Sequence, residues 1–283
     1  MNAEAVQALA SSERVIRPRQ GFVAVNFAEL WRYRELFGFL AWRDILVRYK
    51  QTYLGVAWAL LQPFLTMVVF TVVFGKLAKF PSNGAPYAVL TLAGLLPWQF
   101  FANALSESSG SVVASSRMIS KIYFPRLIIP ASAVLSGVVD FLIGFLILVA
   151  MMIWYGAPVH LLLLALPLFF CLALMAAFAA GTWLSALNVK YRDVKYVVPF
   201  FTRMGLLVSP VGFLSGIIPE RWRFWYGLNP MVGVIDGFRW CILGPGFEPY
   251  LPNVITSIAV TLVLFIGGVF YFRSTERTFA DII

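Results

Sequence analysis

Two charged side chains stand inside long apolar stretches of the sequence. Asp140 follows Ser132 and Ser136 at intervals of four residues, so the three side chains share one face of a helix. Arg203 stands in a later apolar stretch. Charges in membrane-spanning helices normally face a protein interior or a water-filled path, so the Asp140 face is predicted to point inward. Arg203 either pairs with Asp140 or extends its guanidinium to the membrane surface, and the sequence leaves both open.

A second polar face combines two amides with a hydroxyl group. Gln99, Asn103 and Ser106 recur at spacings of four and three residues, beside the helix-perturbing Pro97. Such groups either hydrogen-bond to a neighbouring helix or line a hydrated route. Both interpretations stay open.

Cations and tyrosines directly precede the first apolar run, in RYKQTYLGVAWALLQP at 48–63. In a helix over 31–53, an aromatic stripe lies beside a basic stripe; their members are Trp31, Trp42, Tyr49 and Tyr53, and Arg32, Arg43 and Lys50. Gly38 could interrupt this register. The pattern predicts an amphipathic helix in the membrane interface. This helix either only anchors the protein, or Arg43, Arg48 and Lys50 also receive phosphate, which arginine can hold by paired hydrogen bonds.

Aromatic residues make up 16% of the chain and include Trp58 and Phe64 of the first apolar run. Such rings commonly face lipid or the protein core. Alternatively, some line a conduit for sugars, because a ring offers an apolar face to the C–H side of a pyranose without demanding a fixed hydrogen-bond partner.

Several enzyme motifs are absent from the sequence, and no catalytic residue is predicted. The one Gly-Lys pair, Gly75-Lys76, lacks the earlier glycine and the following hydroxyl of a phosphate-binding loop, so this chain alone does not hydrolyse ATP. His160 is the only histidine and has no cysteine or carboxylate neighbour, so no metal site is predicted. The 13 acidic residues are dispersed, without the paired carboxylates of acid–base or metal chemistry.

Composition and hydropathy predict an all-α polytopic membrane protein. The chain is 60% hydrophobic and 12% charged, and its mean hydropathy is +0.83. Six windows are long and apolar enough to span a membrane, at roughly 55–75, 87–106, 128–154, 161–187, 196–215 and 252–272. No signal peptide is expected, because basic residues are scattered through the first fifty positions.

Most of the 22 basic residues fall on one side of these six predicted spans. They lie in the N-terminal segment, the second and fourth loops and the tail, so both termini are predicted to be cytoplasmic. The net charge of +9 is therefore a topology signal, and nucleic-acid binding is not needed to explain it.

The predicted organisation is a polar arm at 1–29, the amphipathic helix at 30–54 and a six-helix transmembrane domain at 55–283. Within this domain, 107–126 is a cytoplasmic loop and 216–250 an external segment rich in aromatic residues. Aromatics of this kind settle at membrane interfaces, so the external segment is predicted to form short re-entrant or interfacial helices rather than a free loop.

The order of motifs resembles the ABC-2 type permeases that export polysaccharides and polyol phosphates, including O-antigen, capsule and teichoic acid transporters. The resemblance covers roughly residues 30–283. It rests on RYKQTYLGVAWALLQP, GLLPWQFF at 94–101, KIYFPR at 121–126, LNVKYRD at 187–193, SPV at 209–211 and LNPMVGVIDGFRW at 228–240.

The resemblance implies a homodimer in the bacterial cytoplasmic (inner) membrane, joined to two separate ATP-binding subunits. ATP and Mg would then be bound by those subunits, and this chain would bind no cofactor of its own. The substrate would be a lipid-linked glycan. From the residue patterns described above, the side chains predicted to bind it are Arg43, Arg48, Lys50, Trp58, Phe64, Gln99, Asn103, Asp140 and Arg203. The alternatives are an ABC-2 permease for a drug or small lipid, and a membrane-bound enzyme of envelope synthesis.

The resemblance also assigns two regulatory surfaces. The amphipathic segment 30–54 and the loop 107–126 would face the ATPase subunits. The composition of the loop suggests a short helix with apolar anchors among Arg117, Ile119, Lys121, Ile122 and Tyr123. The segment 216–250 would close the external mouth through Trp222, Trp225, Tyr226, Asn229 and Pro230, where the Gly-Leu-Asn-Pro stretch can turn the chain back.

Overall fold

A computed structural model of the 283-residue chain describes residues 27–50 and 55–279. Within these ranges every regular element is a helix. Most of the predicted polar arm, Tyr53 and residues 280–283 lie outside the described residues.

The α-helices of the described residues are α1 (Phe27–Arg32), α2 (Arg34–Lys50), α3 (Gly55–Phe70), α4 (Tyr87–Ala114), α5 (Ser116–Ile119), α6 (Ile128–Trp154), α7 (Leu166–Lys190), α8 (Val194–Val208), α9 (Glu220–Gly227), α10 (Pro230–Leu243) and α11 (Leu251–Thr275). A π-helical segment, Thr71–Leu77, extends α3. Short 3-10 turns are Leu161–Ala165, Ser215–Ile217 and Glu276–Thr278.

Five helical stretches are long and apolar enough to cross a membrane. They are Ala57–Leu77, Tyr87–Ala114, Ile128–Trp154, Leu161–Lys190 and Leu251–Thr278. Each coincides with one of the six predicted windows. The all-helical class is therefore confirmed for the described residues, and five of the six predicted spans form helices long and apolar enough to cross a membrane.

The window predicted at 196–215 forms a shorter helix than expected. Helix α8 ends at Val208 after 15 residues, which is about 22 Å at the helical rise and less than the roughly 30 Å of a bilayer core. Ser209 is extended, with φ −74° and ψ 153°. It precedes Pro210, whose ring disfavours helical geometry in the residue before it.

Helix α4 forms the centre of the molecule and is buried along most of its length. It packs against α6, α7 and α10. On α7, a face of small residues, Ala173, Ala177, Gly181 and Ser185, is buried. A side chain at Gly181 would collide with Ser108 of α4, so the glycine permits the close approach of the two helices.

The amphipathic helix predicted at 30–54 is interrupted. The break falls at Tyr33, between α1 and α2, whereas Gly38 lies inside α2. Helix α2 packs on α6 and buries Leu40 and Ala41 there. Trp31 and Trp42 are exposed, as expected for the aromatic stripe, but the Tyr49 side chain turns inward.

The predicted external segment 216–250 contains two helices instead of a free loop. The short α9 exposes Trp222, Phe224 and Trp225. The longer α10 is buried against α4, α7 and α11. Asn229 caps α10 by accepting a hydrogen bond from the Met231 N–H, and Pro230 occupies the first turn, where a missing N–H costs nothing.

Candidate functional site

A cavity of about 490 Å³ lies between α2, α3, α4 and α6. Its volume falls within the range of roughly 300–1,000 Å³ typical of small-molecule sites. The wall contains aromatic rings, from Tyr49, Trp58, Phe100 and Phe141, and side-chain amides, from Gln62, Gln99 and Asn103. Its charged residues are Arg48, Glu107 and Asp140.

The regular spacing of α4 places three of these polar groups on the same face. Gln99, Asn103 and Glu107 follow one another at intervals of four residues. On α6, Gly144 lies so close to Leu96 that a side chain at position 144 would collide with the leucine. This glycine therefore keeps α6 near α4 beside the cavity.

Arg48 joins three helices through a pair of carboxylates. Its Nη1 donates to Asp140 of α6, and its Nη2 donates to Glu107 of α4. The Tyr49 hydroxyl donates to the other oxygen of Asp140, and the Ser136 Oγ donates to Glu107 over 3.3 Å. Both carboxylates are thus held by donors from α2, and the end of α2 is tied to the cavity wall.

Tyr49 stays protonated in this arrangement. Burial raises the pKa of the phenol above its ordinary value, and the hydrogen bond to Asp140 raises it further. The hydroxyl therefore acts as a permanent donor to the carboxylate.

The three cavity amides are available to a ligand. Among residues 27–50 and 55–279, the side chains of Gln62, Gln99 and Asn103 make no hydrogen bond to another protein group. Asn103 and Gln62 are exposed, and Gln99 is half-buried. Each amide offers two N–H donors and one carbonyl acceptor.

The structure brings together five of the nine residues predicted to bind substrate: Arg48, Trp58, Gln99, Asn103 and Asp140. The other four lie elsewhere. Arg43 pairs with its neighbour Asp44 at 2.7 Å outside this cavity, and Lys50 is exposed. Phe64 and Arg203 are also exposed and do not line it.

The partners of Asp140 lie on helix α2 and not on helix α8. Asp140 binds Arg48 and Tyr49, which belong to α2. Arg203 lies on α8 with an exposed side chain. The pairing of Asp140 with Arg203 that the sequence left open is not formed.

Sequence reasoning missed Glu107 and the inward role of Tyr49. Glu107 was placed in the cytoplasmic loop 107–126, but α4 continues to Ala114. A signal was present, since Glu107 continues the four-residue spacing of Gln99 and Asn103. Tyr49 carried no such signal, because it belongs to the same aromatic stripe as Trp31 and Trp42, which are exposed.

A second space of about 880 Å³ lies between α2, α4 and α6. Arg43 and Arg117 line it with several serines, including Ser106 and Ser132. Arg48 and Glu107 line both this groove and the aromatic cavity. The ion pair between them is therefore a wall common to the two spaces.

One residue predicted to contact the ATPase is buried within the chain. Ile119 is only 5% exposed and packs with Phe124, Leu127, Phe272 and Phe279. It is therefore a core residue and not a surface anchor. Ile122 and Tyr123 are 60% and 77% exposed, and Arg117 and Lys121 are exposed too.

The five residues predicted for the external gate lie at the α9–α10 corner. Trp222 and Trp225 are exposed, whereas the Tyr226 hydroxyl donates to the Val208 carbonyl at the end of α8. The Asn229 amide donates to Ser209 at 2.9 Å, and Pro230 starts α10. The corner is thus bonded to the chain that leaves α8.

The model of the ABC-2 type transporter family matches residues 35–243 of the chain. The chain belongs to this family. The match runs from α2 to the end of α10 and so includes all four helices of the cavity. A member of the ABC-2 family is a membrane component of a transporter and not a catalytic enzyme.

Similar proteins within the ABC-2 family have names that refer to polysaccharide export. The O-antigen export system permease protein RfbA of Klebsiella pneumoniae is 27% identical, over 85% of this chain and 92% of the relative. The polysialic acid transport protein KpsM of Escherichia coli is 22% identical, over 83% and 91%. The capsule polysaccharide export inner-membrane protein CtrC of Neisseria meningitidis serogroup A is 24% identical, over 83% and 89%.

Proposed function

We propose that the chain is the permease subunit of an ATP-driven exporter that moves a lipid-linked polysaccharide across the bacterial cytoplasmic membrane. The observation that carries the proposal is the cavity, in which aromatic rings and unengaged amides face the same space. The names of the ABC-2 relatives support the same substrate class.

The cavity chemistry suits a saccharide that has to move on. Trp58 and Phe141 offer apolar surface to the C–H faces of a pyranose. The amides of Gln99 and Asn103 can donate to and accept from sugar hydroxyls. Amides adapt to either role, so successive sugar units can exchange without a fixed partner.

We propose that the lipid diphosphate binds to cationic side chains outside the cavity. Lys50 and Arg43 belong to α2 and do not line the cavity. Arg48 is engaged by Glu107 and Asp140, so a phosphate would have to compete with two carboxylates for it. The glycan therefore enters the cavity while its diphosphate stays at the membrane interface.

The chain crosses the membrane six times in this proposal, with both termini cytoplasmic. The stretch 194–214 makes the sixth crossing, although its helix α8 is too short to span a bilayer by itself. After α8, the turns at 209–213 lie at the level of the start of α4, where the Tyr87 hydroxyl donates to the Gly212 carbonyl. The rings of Phe80 and Phe213 lie 6.4 Å apart at the same level. In this proposal, helix α8 and the turns that follow it together make the sixth crossing.

The exporter is completed by a second copy of the permease and two ATP-binding subunits. The exposed side chains Ile122 and Tyr123, with Arg117 and Lys121, form the surface that meets the ATPase. ATP and Mg are bound by that partner. The α9–α10 corner forms the external gate.

Deletion of the gene, followed by mass spectrometry of lipids and surface glycans, tests the proposal. We expect loss of the surface glycan and accumulation of its lipid-linked form inside the cell. The variant Gln99→Ala/Asn103→Ala should restore roughly a tenth or less of the export restored by the natural chain, since two positioning contacts are lost.

The variant Asn83→Gly is the matched control, because it removes an amide that does not line the cavity, at a position with φ 49° that glycine tolerates. A deletion strain with normal surface glycan would contradict the proposal. Full export by a correctly inserted double variant would show that the cavity is not part of the substrate path.

A further inference from the structure

The wall of the aromatic cavity has an unusual charge balance for a site on the path of a phosphorylated lipid. Among its described lining residues, Arg48 is the one cation, and Glu107 and Asp140 are anions. Their formal charges add to minus one. The neighbouring residues 51–54, Gln-Thr-Tyr-Leu, carry no charged side chain.

The positive charge of Arg48 is directed at the wall and not at the cavity contents. One guanidinium nitrogen donates to Asp140 and another to Glu107. An anionic ligand group would have to displace one of these carboxylates, which would then lose its counter-charge in a site partly shielded from water. The arginine therefore does not provide a ready anion site.

The rest of the polar wall favours uncharged ligands. Gln62, Gln99 and Asn103 present neutral donors and acceptors, which pair well with hydroxyl groups. The side chains of Glu107 and Asp140 are 36% and 22% exposed, so their field reaches a ligand in the cavity. A carboxylate on the ligand beside them meets like charge at short range, where repulsion is stronger than in bulk water.

We propose that Glu107 and Asp140 make this cavity selective for uncharged saccharide units and act against polyanionic glycans. The inference rests on the proposed function and adds the charge class of the substrate. Repulsion disfavours a uronic acid or another acidic sugar in the cavity, whereas the amides and rings accept a neutral one equally well at each step of export.

A matched pair of lipid-linked probes tests the selectivity. One probe is a polyprenyl diphosphate carrying a short glucose oligomer, and the other carries the same oligomer with every C6 oxidised to a carboxylate. The readout is the probe concentration that gives half-maximal stimulation of ATP hydrolysis by the complete permease–ATPase complex in lipid nanodiscs. We expect the neutral probe to act at a concentration about tenfold lower than the acidic probe.

The variant Glu107→Gln removes one negative charge and keeps the side-chain shape. It should reduce the ratio of the half-maximal concentrations of the two probes to about threefold or less. The matched control is Glu35→Gln, which removes an exposed carboxylate of α2 outside the cavity and should keep the natural ratio. In the natural complex, added salt should also reduce the ratio, a measurement that does not depend on assembly of the variant.

Equal or stronger stimulation by the acidic probe would overturn the charge selectivity while leaving the proposed function intact. A ratio unchanged by both Glu107→Gln and salt would overturn it as well. If neither probe stimulated hydrolysis, the proposed function itself would fail, and the selectivity would fall with it.

Discussion

At the scale of residues, Arg48 is the side chain that links the helices around the cavity. It ties α2 to α4 and α6 through Glu107 and Asp140, and it neutralises part of their charge beside the cavity. A half-buried ion pair of this kind contributes little net stability by itself. Removal of Arg48 nevertheless leaves Glu107 and Asp140 without their counter-charge in a site partly shielded from water.

The variant Arg48→Gln should destabilise the protein by roughly 1–3 kcal/mol, because the two carboxylates lose their shared partner. The double variant Arg48→Gln/Glu107→Gln should recover part of this loss, since only Asp140 then stays charged, with Tyr49 still donating to it. Thermal unfolding of the purified protein in detergent measures both effects.

Arg43→Gln is the control for this comparison, since it breaks an exposed pair with the adjacent Asp44 and should change stability by about 0.5 kcal/mol or less. If Arg48→Gln were as stable as the natural protein, or the double variant were less stable than the single one, the shared-partner account would be wrong.

At the scale of elements, one apolar cluster combines three segments that are distant in sequence. Ile119 and Phe124 follow α4, Phe272 lies in the last turn of α11, and Phe279 lies beyond that helix. Leu30 of α1 packs against the same cluster. The Arg126 guanidinium donates to the Glu276 carbonyl and lies over the Phe279 ring. The tail thus packs against the short helix α5, while Ile122 and Tyr123 after it stay exposed.

Ile119 and Ile122 should respond differently to aspartate. Ile119→Asp places a charge in an apolar core and should destabilise the fold by about 3 kcal/mol or more. Ile122→Asp changes a 60% exposed side chain and should alter stability by about 0.5 kcal/mol or less, but release the ATPase. Thermal unfolding and co-purification of the ATPase separate the two effects.

The serine variant Ile122→Ser is a matched control that removes the apolar anchor without adding charge, and it should weaken ATPase binding less. Retention of the ATPase by folded Ile122→Asp would show that the coupling surface lies elsewhere.

At the scale of the whole molecule, five long helices alone would put the chain termini on opposite sides of the membrane. The stretch 194–214 determines whether a sixth crossing restores them to one side. Its helix carries Lys195 and Arg203, and the turns after the helix are held by the buried Arg239, which donates to the Val211 and Phe213 carbonyls at 2.8 Å and 2.7 Å. Arg239 therefore satisfies backbone groups that a helix would otherwise have satisfied.

Cysteine labelling distinguishes six crossings from five. In a background with Cys171 and Cys241 replaced by alanine, a membrane-impermeant maleimide should label Glu220→Cys in intact cells with an accessible outer face of the membrane. It should label Lys195→Cys only after the membrane is permeabilised. Arg117→Cys is the cytoplasmic control. Equal labelling of positions 195 and 220 in intact cells would place both on one side and contradict the sixth crossing.

Much of this architecture could be read directly from the sequence. Hydropathy located the five long spans, because a bilayer core demands about 20 apolar residues wherever a helix crosses it. Four-residue spacing placed Ser132, Ser136 and Asp140 on one inward face, and both serines are buried. The absence of a phosphate-binding loop and the order of motifs led to the transporter family that the comparison then showed.

Only the tertiary structure decided which side chains meet. Periodicity identifies a face of a helix, but it contains no information about the partner across the interface, so Asp140 found Arg48 at a separation of 92 residues instead of Arg203. Helix ends depended in the same way on distant contacts: the Val208 carbonyl at the end of α8 accepts a hydrogen bond from Tyr226, and Arg239 binds the Val211 carbonyl just beyond it. Ile119 looked like an exposed anchor because its covering residues, Phe272 and Phe279, come from the far end of the chain. Local sequence sets hydropathy and periodicity, whereas burial and pairing depend on packing between segments that are remote in sequence.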